Sequence, residues 1–171
     1  MNRRTSLYLY AWRKNIDVDY FPMQTAEAFS VPIGSTCAIA LDPTKIRSEA
    51  DEAVKLSHEL GHCVYGGFYN KYTPLDVRAQ HENKANAWAV YRLIPWGKLK
   101  QAVKGGMTEV WDLAEHFDVT EDFMRWAITY YTERKNYKFP LTTLIISKKP
   151  GNTGISRDIR TEFTTDLLLS D

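Results

Sequence analysis

The pentapeptide His58-Glu59-Leu60-Gly61-His62 constrains this chain more than any other stretch, because it lies in a run from about Ser48 to Tyr65 that reads as one helix. Two histidines four residues apart stack on one helical face, one turn above the other, so both imidazoles can reach a single metal ion. Glu59, next to the first of them, stands close enough to take a proton from a water on that metal. Zinc-dependent peptidases build their hydrolytic core this way. Helical phase supports the reading. At about 100° per residue, Ala53, Leu56, Leu60 and Val64 share one side, while His58 and His62 fall opposite with Asp51 and Lys55. Histidines that merely fill a core belong with the apolar set, and these do not.

A length of 171 residues suits one domain with a proper core and is short for two. With 44% hydrophobic and 25% charged residues the composition is that of a globular protein, and a net charge of +1 gives no electrostatic reason to expect nucleic acid or an anionic membrane as partner. Two cysteines, Cys37 and Cys63, make no disulfide framework, and Cys63 falls on the apolar side of the helix, so a buried free thiol is expected. No apolar run of leader length follows Arg3 and Arg4, and no stretch approaches a membrane span. A reducing cytoplasm fits this set.

Along the chain, residues 3–14 suit a short helix and Ile16–Phe21 a strand ended by Pro22. Ala28–Val31 and Cys37–Leu41 read as a hairpin through Pro32-Ile33-Gly34-Ser35. The expected fold is therefore α+β, with a small antiparallel sheet of about three strands packed on several helices. Asp42-Pro43 stops the sheet, and Thr44 or Ser48 can cap the helix that follows. Gly66-Gly67 ends that helix. An aromatic loop then leads to a second helix, from about Asp76 or His81 to Leu93, terminated by Pro95. Residues 107–117 and 121–135 form a further helical pair. The reading assigns residues 1–146 to one domain and 147–171 to a peripheral tail.

A catalytic zinc takes three protein ligands and keeps a fourth position for water. Glu82 on the second helix shares a face with Asn86, Ala89 and Leu93, with Ala85 alongside; small residues there would let the two helices approach closely. Asp76 and His81 compete for the same role. Asn86, one turn on, would brace a ligand. For a donor to the oxyanion the candidates are Tyr69, Tyr72, His81 and Tyr91, with no choice among them on sequence. The strand Cys37–Leu41 offers a possible edge for an extended substrate.

These residues carry a resemblance. HELGH, then Glu82-x-x-Ala85-Asn86-x-Trp88-Ala89, then Leu93-Ile94-Pro95, with Leu113-Ala114 through Val119-Thr120 downstream, is similar to the ImmA/IrrE-type metallopeptidases over roughly residues 15–135. Trp88 stands where that family has Phe, and Arg92-Leu93-Ile94 replaces its aliphatic run. The resemblance implies a minimal zincin-like fold, one Zn2+ per chain held by His58, His62 and Glu82, and Glu59 as general base. It further implies a hydrolase that cleaves helix-turn-helix transcriptional repressors, in mobile elements such as phage or after DNA damage. A scaffold that binds a repressor without cutting it is the alternative, against which Glu59 speaks. Two histidines and a glutamate also suit manganese or another divalent ion. Residues 107–134 have the rhythm of a DNA-binding helix-turn-helix. However, Glu121 and Asp122 at the start of the would-be recognition helix repel phosphate, and Phe123, Trp126 and Tyr130 recur at core spacing. Packing is the expected role. The sequence leaves the substrate, the trigger and the oligomeric state open.

Overall fold

A computed structural model describes residues 2–70 and 72–135; the tail proposed for 147–171 and the boundary at 146 lie outside these. Helix α1 (Arg3–Arg13) is capped by Asn2, whose side chain accepts from the Thr5 amide at 2.9 Å. It buries Leu7 and Ala11. Asn15 turns the chain with a left-handed φ of 51°, a conformation asparagine tolerates, and β1 (Ile16–Tyr20) follows. Strands β2 (Ala28–Ile33) and β3 (Thr36–Leu41) form the expected hairpin, with Gly34 at φ 59° in the turn.

The sheet is mixed where an antiparallel one was expected. Its order is β1-β3-β2, with β1 parallel to β3 and β2 antiparallel to it. The physical reason lies in residues 21–27, which pass over the C-terminal end of β3 and deliver β2 to its far side. Asp42, fully buried just after β3, holds that crossing in place. Its carboxylate accepts from the Met23 amide and from the amide and hydroxyl of Thr44, while Lys45 Nζ donates to the carbonyls of Gln24 and Ala26. Strand β3 is thus central and has no free edge, which corrects its reading as an edge for substrate; β1 and β2 are the edges.

Residues paired across β-strands share a face. Cys37, Ile39 and Leu41 are buried beneath the sheet, opposite Pro32, Ser30 and Ala28 of β2. Val31 and Ile33, on the other face, are exposed. Against the inner face lies α2 (Glu49–Tyr65), whose Ser48 cap accepts from the Asp51 amide at 3.1 Å. Gly66 closes α2 in a left-handed conformation, as its place in the sequence suggested. Glu52 ties α2 to both neighbours, accepting from the hydroxyls of Tyr8 at 2.6 Å and Tyr20 at 2.7 Å.

The cysteines correct a second expectation. Cys37 and Cys63 are joined in a disulfide between β3 and the end of α2, their Cα atoms 5.7 Å apart, so Cys63 is not a free thiol. The hydrophobic phase placed Cys63 beside the core, but it could not show which residue on the sheet would face it.

Helix α3 (Leu75–Leu93) packs along α2. Helix α4 (Trp96–Lys104), a further element not expected from the sequence, begins directly after Pro95. Proline is well placed just before or at a helix start, where its missing N–H leaves no bond unmade. Helices α5 (Val110–Phe117) and α6 (Glu121–Lys135) turn at Asp118, with φ 55°. The inner face of α6 buries Phe123, Met124, Ala127, Ile128 and Tyr131, and the Tyr131 hydroxyl donates to the Ile94 carbonyl at 2.7 Å. The pair therefore packs into the core, as its spacing implied. No described helix is long and apolar enough to cross a membrane.

Candidate metal centre

Helix α2 is buried without interruption from Glu52 to His62. One flank meets the apolar core through Ala53, Leu56 and Leu60; the polar flank is covered as well, chiefly by α3. Val64, assigned to the apolar side by phase, is exposed because it lies in the last turn, where the core ends. Polar groups sealed in this way must find partners. Lys55 pairs with Asp51 and, at 3.0 Å, with Glu27. His58 and His62 face Glu82.

The approach of α3 explains how. At Gly61 an added Cβ would stand 2.7 Å from both the Cα and the carbonyl oxygen of Ala85. The helices therefore touch backbone to backbone, and Glu82, nearly one turn before Ala85, is carried to the histidines. The ligand atoms of His58, His62 and Glu82 all lie within 4.8 Å of one another, and all three residues are buried. Asp76 is exposed at the start of α3. His81 lies outside this group, with its Nδ1 turned towards Gly67 and lacking a hydrogen-bond partner among the described residues.

Hydrogen bonding at the outer nitrogens decides what the inner ones can do. His62 Nδ1 lies 3.0 Å from the Gly67 carbonyl oxygen, which can only accept, so Nδ1 carries the proton. His58 Nδ1 is likewise 2.8 Å from Asn86 Oδ1. In the neutral rings both Nε2 atoms then present bare lone pairs, 3.0 Å apart. Glu82 sets a carboxylate oxygen 3.2 Å from His62 Nε2 and another 3.3 Å from His58 Nε2, and while the rings are neutral its Oε2 meets no donor. Four lone-pair atoms converging in a buried space repel one another unless a cation or protons sit between them. The donor set fits a divalent metal ion of the zinc type.

The electrostatics agree. Burial pushes the His58 imidazolium down, but once Nε2 is protonated its hydrogen bond to Glu82 and the charges of Glu59 and Glu82 outweigh this and hold its pKa above the ordinary histidine value. Burial also works against the Glu82 carboxylate, yet hydrogen bonds from the protonated rings of His58 and His62 keep its pKa far below the usual range. The site favours positive charge strongly, and a metal must displace protons to enter.

Tyr69 is the one of the four tyrosine and histidine candidates whose polar group reaches the cluster. Its hydroxyl donates to Glu82 Oε1 at 2.8 Å, and burial followed by the Glu82 charge raises its pKa, so it stays a donor. Tyr72 is 82% exposed. Tyr91 instead accepts from the Tyr130 hydroxyl at 3.2 Å, in an aromatic cluster on α3 and α6. Glu59 is buried beside the cluster, and its charge bears on both His58 and Tyr69. Its Oε2 accepts from the Ser30 hydroxyl at 2.6 Å. Ser30 and the Gly67 carbonyl were not singled out from sequence, since nothing in a strand serine or a loop glycine signals what will fold onto it.

A buried His-His-Glu cluster on two helices, with a second glutamate next to the first histidine, defines the metal-dependent peptidases built on the HExxH helix. Residues 13–129 match the family model for the IrrE N-terminal-like domain, peptidase M78. The chain belongs to that metallopeptidase family, and the match spans nearly the stretch over which its motifs resemble ImmA/IrrE proteins. No curated protein matches it.

Proposed function

We propose that this chain is a zinc-dependent endopeptidase, binding one Zn2+ through His58, His62 and Glu82 and using Glu59 as general base. The observation that carries the proposal is the convergence of the two bare Nε2 atoms on the Glu82 carboxylate, with both outer nitrogens tied to acceptors. Bound zinc supplies Lewis acidity towards a scissile carbonyl and a lowered pKa for water. Glu59 accepts the proton of the attacking water and delivers it to the departing amine as the peptide C–N bond breaks. Asn86 and Gly67 hold the two imidazoles in the tautomer that ligates. Tyr69, donating to Glu82, is the best-placed side-chain donor at the site.

A peptidase of this family acts on protein, and we propose a helix-turn-helix repressor as the substrate, from the family resemblance, and the cytoplasm as the compartment, where such a repressor binds its operator. The cysteines no longer argue for that compartment, since they are paired. Metal content of the purified protein tests the site, and a repressor incubated with it tests the activity. The expected result is about one zinc per chain in the wild type and in Glu59→Gln, most of it lost in Glu82→Ala, with cleavage only by the wild type. Zinc retained by Glu82→Ala would refute the ligand set. Full cleavage by Glu59→Gln would refute the general base, and zinc binding with no cleavage by any form would leave a binding scaffold.

A further inference from the structure

We propose that Ser30 is a positioning residue for Glu59, fixing the plane of the carboxylate so that one oxygen is committed to the sheet and the other is left to act as base. The inference rests on the general-base reading above and extends it to a residue 29 positions away in sequence.

Ser30 sits in β2 opposite Ile39 of β3, on the face turned towards α2. Its inward-facing neighbours along the strand are Ala28 and Pro32, opposite the buried Leu41 and Cys37. A serine here runs against strand preference, which favours β-branched and aromatic side chains. It also places a hydroxyl against the stretch of α2 that is buried from Glu52 to His62. The hydroxyl has a specific partner: Oγ donates to Glu59 Oε2 at 2.6 Å, within the short range of a bond to an ionised acceptor.

Glutamate has three side-chain torsions, and the last is soft, so a carboxylate tethered only by its own backbone sweeps a range of planes. A base must lie within about 0.5 Å and 10–20° of its working geometry. The Ser30 bond removes that freedom. It is made from a sheet joined to α2 at β3 by the Cys37–Cys63 disulfide and at β1 by the bond from Tyr20 to Glu52, so the anchor is held to the helix that carries His58 and His62. Because β2 is an edge strand, a substrate that lies along it would bear directly on the strand that aims the base.

The test compares wild type with Ser30→Ala, Ser30→Thr, Glu59→Gln and the Ser30→Ala/Glu59→Gln double variant. All are assayed as the zinc-loaded full chain on a library of quenched-fluorescent decapeptides randomised in sequence. Zinc content and thermal midpoint are recorded for each, the midpoint also in EDTA. Ser30→Ala is expected to lower kcat about tenfold to a hundredfold, the scale of a misplaced catalytic group, with KM within about twofold and zinc unchanged. Ser30→Thr restores most of the loss, and Ser30→Ala has no further effect on the rate in the Glu59→Gln background. In EDTA the two single changes are non-additive in midpoint, which reports the contact without any turnover. If Glu59→Gln abolishes cleavage while Ser30→Ala leaves kcat intact, the positioning role is refuted and the general base stands. If the wild type cuts nothing, or Glu59→Gln cuts as the wild type does, the peptidase reading itself fails and Ser30 is reduced to a structural contact.

Discussion

Replacing Gly61 with alanine adds one methyl group at the point where α2 and α3 touch. The new Cβ would stand 2.7 Å from the Cα and carbonyl oxygen of Ala85, about 0.7 Å short of the 3.4 Å at which ordinary contact begins. Both obstructing atoms are backbone, so no side-chain rotation relieves the clash and α3 must shift. Overpacking of this kind costs about 1–3 kcal/mol. Alanine recovers about 1 kcal/mol through its helix propensity, which leaves a net loss of up to about 2 kcal/mol. The larger consequence falls on the metal. Glu82 rides on α3, and a zinc site tolerates departures of only about 0.2 Å from its bond lengths. A helix displaced by several tenths of an ångström should therefore weaken zinc binding by at least about tenfold, the lower end of what losing a supporting contact costs. Competition with a chromophoric chelator measures the affinity, and thermal denaturation in EDTA measures the metal-free fold. Ala85→Gly added to Gly61→Ala should not rescue either, since the clash is with backbone. An unchanged zinc affinity together with a raised midpoint would show that the helices have room to spare, and would refute the close-approach argument.

Asn86→Ala should lower zinc affinity about tenfold to a hundredfold while leaving the fold intact, because it frees His58 to turn and to change tautomer; the same chelator competition reads this. Reducing the Cys37–Cys63 disulfide, which closes a separation of 26 residues, should lower stability by about 3.5 kcal/mol in the chain-entropy account. Denaturant titration with and without reductant measures it, and an unchanged midpoint would mean that the crosslink adds nothing to the packing. Asp42 is held below the ordinary carboxylate range by its bonds to Thr44 and Met23. A lowered folded-state pKa contributes stability above the unfolded value near 3.8 and loses it as pH falls through the folded value. The midpoint of the wild type should thus fall more steeply than that of Asp42→Asn as pH is lowered from about 5 to 2. Parallel curves would remove Asp42 from the account of the crossing.

Much of the site was legible in sequence because helical spacing is a local property. The i, i+4 interval alone places His58 and His62 on one face, and the phase of Ala85 and Ala89 marks a helix side able to approach another. Glu82 became readable as a ligand through that phase and through the family motif, and the structure brings it within reach of both histidines. The helix after Pro95 was missed because proline marks helix starts as readily as ends. The hairpin of β2 and β3 is antiparallel as expected, and only β1 runs the other way, because strand direction depends on where a connection crosses. Residues 21–27 carry no periodic signal, and their path is held by buried Asp42 and by Lys45.

What the sequence determined by itself is the chemistry that repeats along one element: the metal-binding face, the glycine stop after Tyr65, and the small residues of α3 that let it approach α2. Tertiary structure alone decided which distant groups complete those faces. Ser30 reaches Glu59 from 29 residues away, Cys37 meets Cys63 across 26, and Asn86, expected to brace a ligand, is given His58 as the one it braces. A hydrogen bond or a disulfide depends on distances within a few tenths of an ångström, and across such separations those distances follow from how helix and sheet pack, which no local spacing encodes.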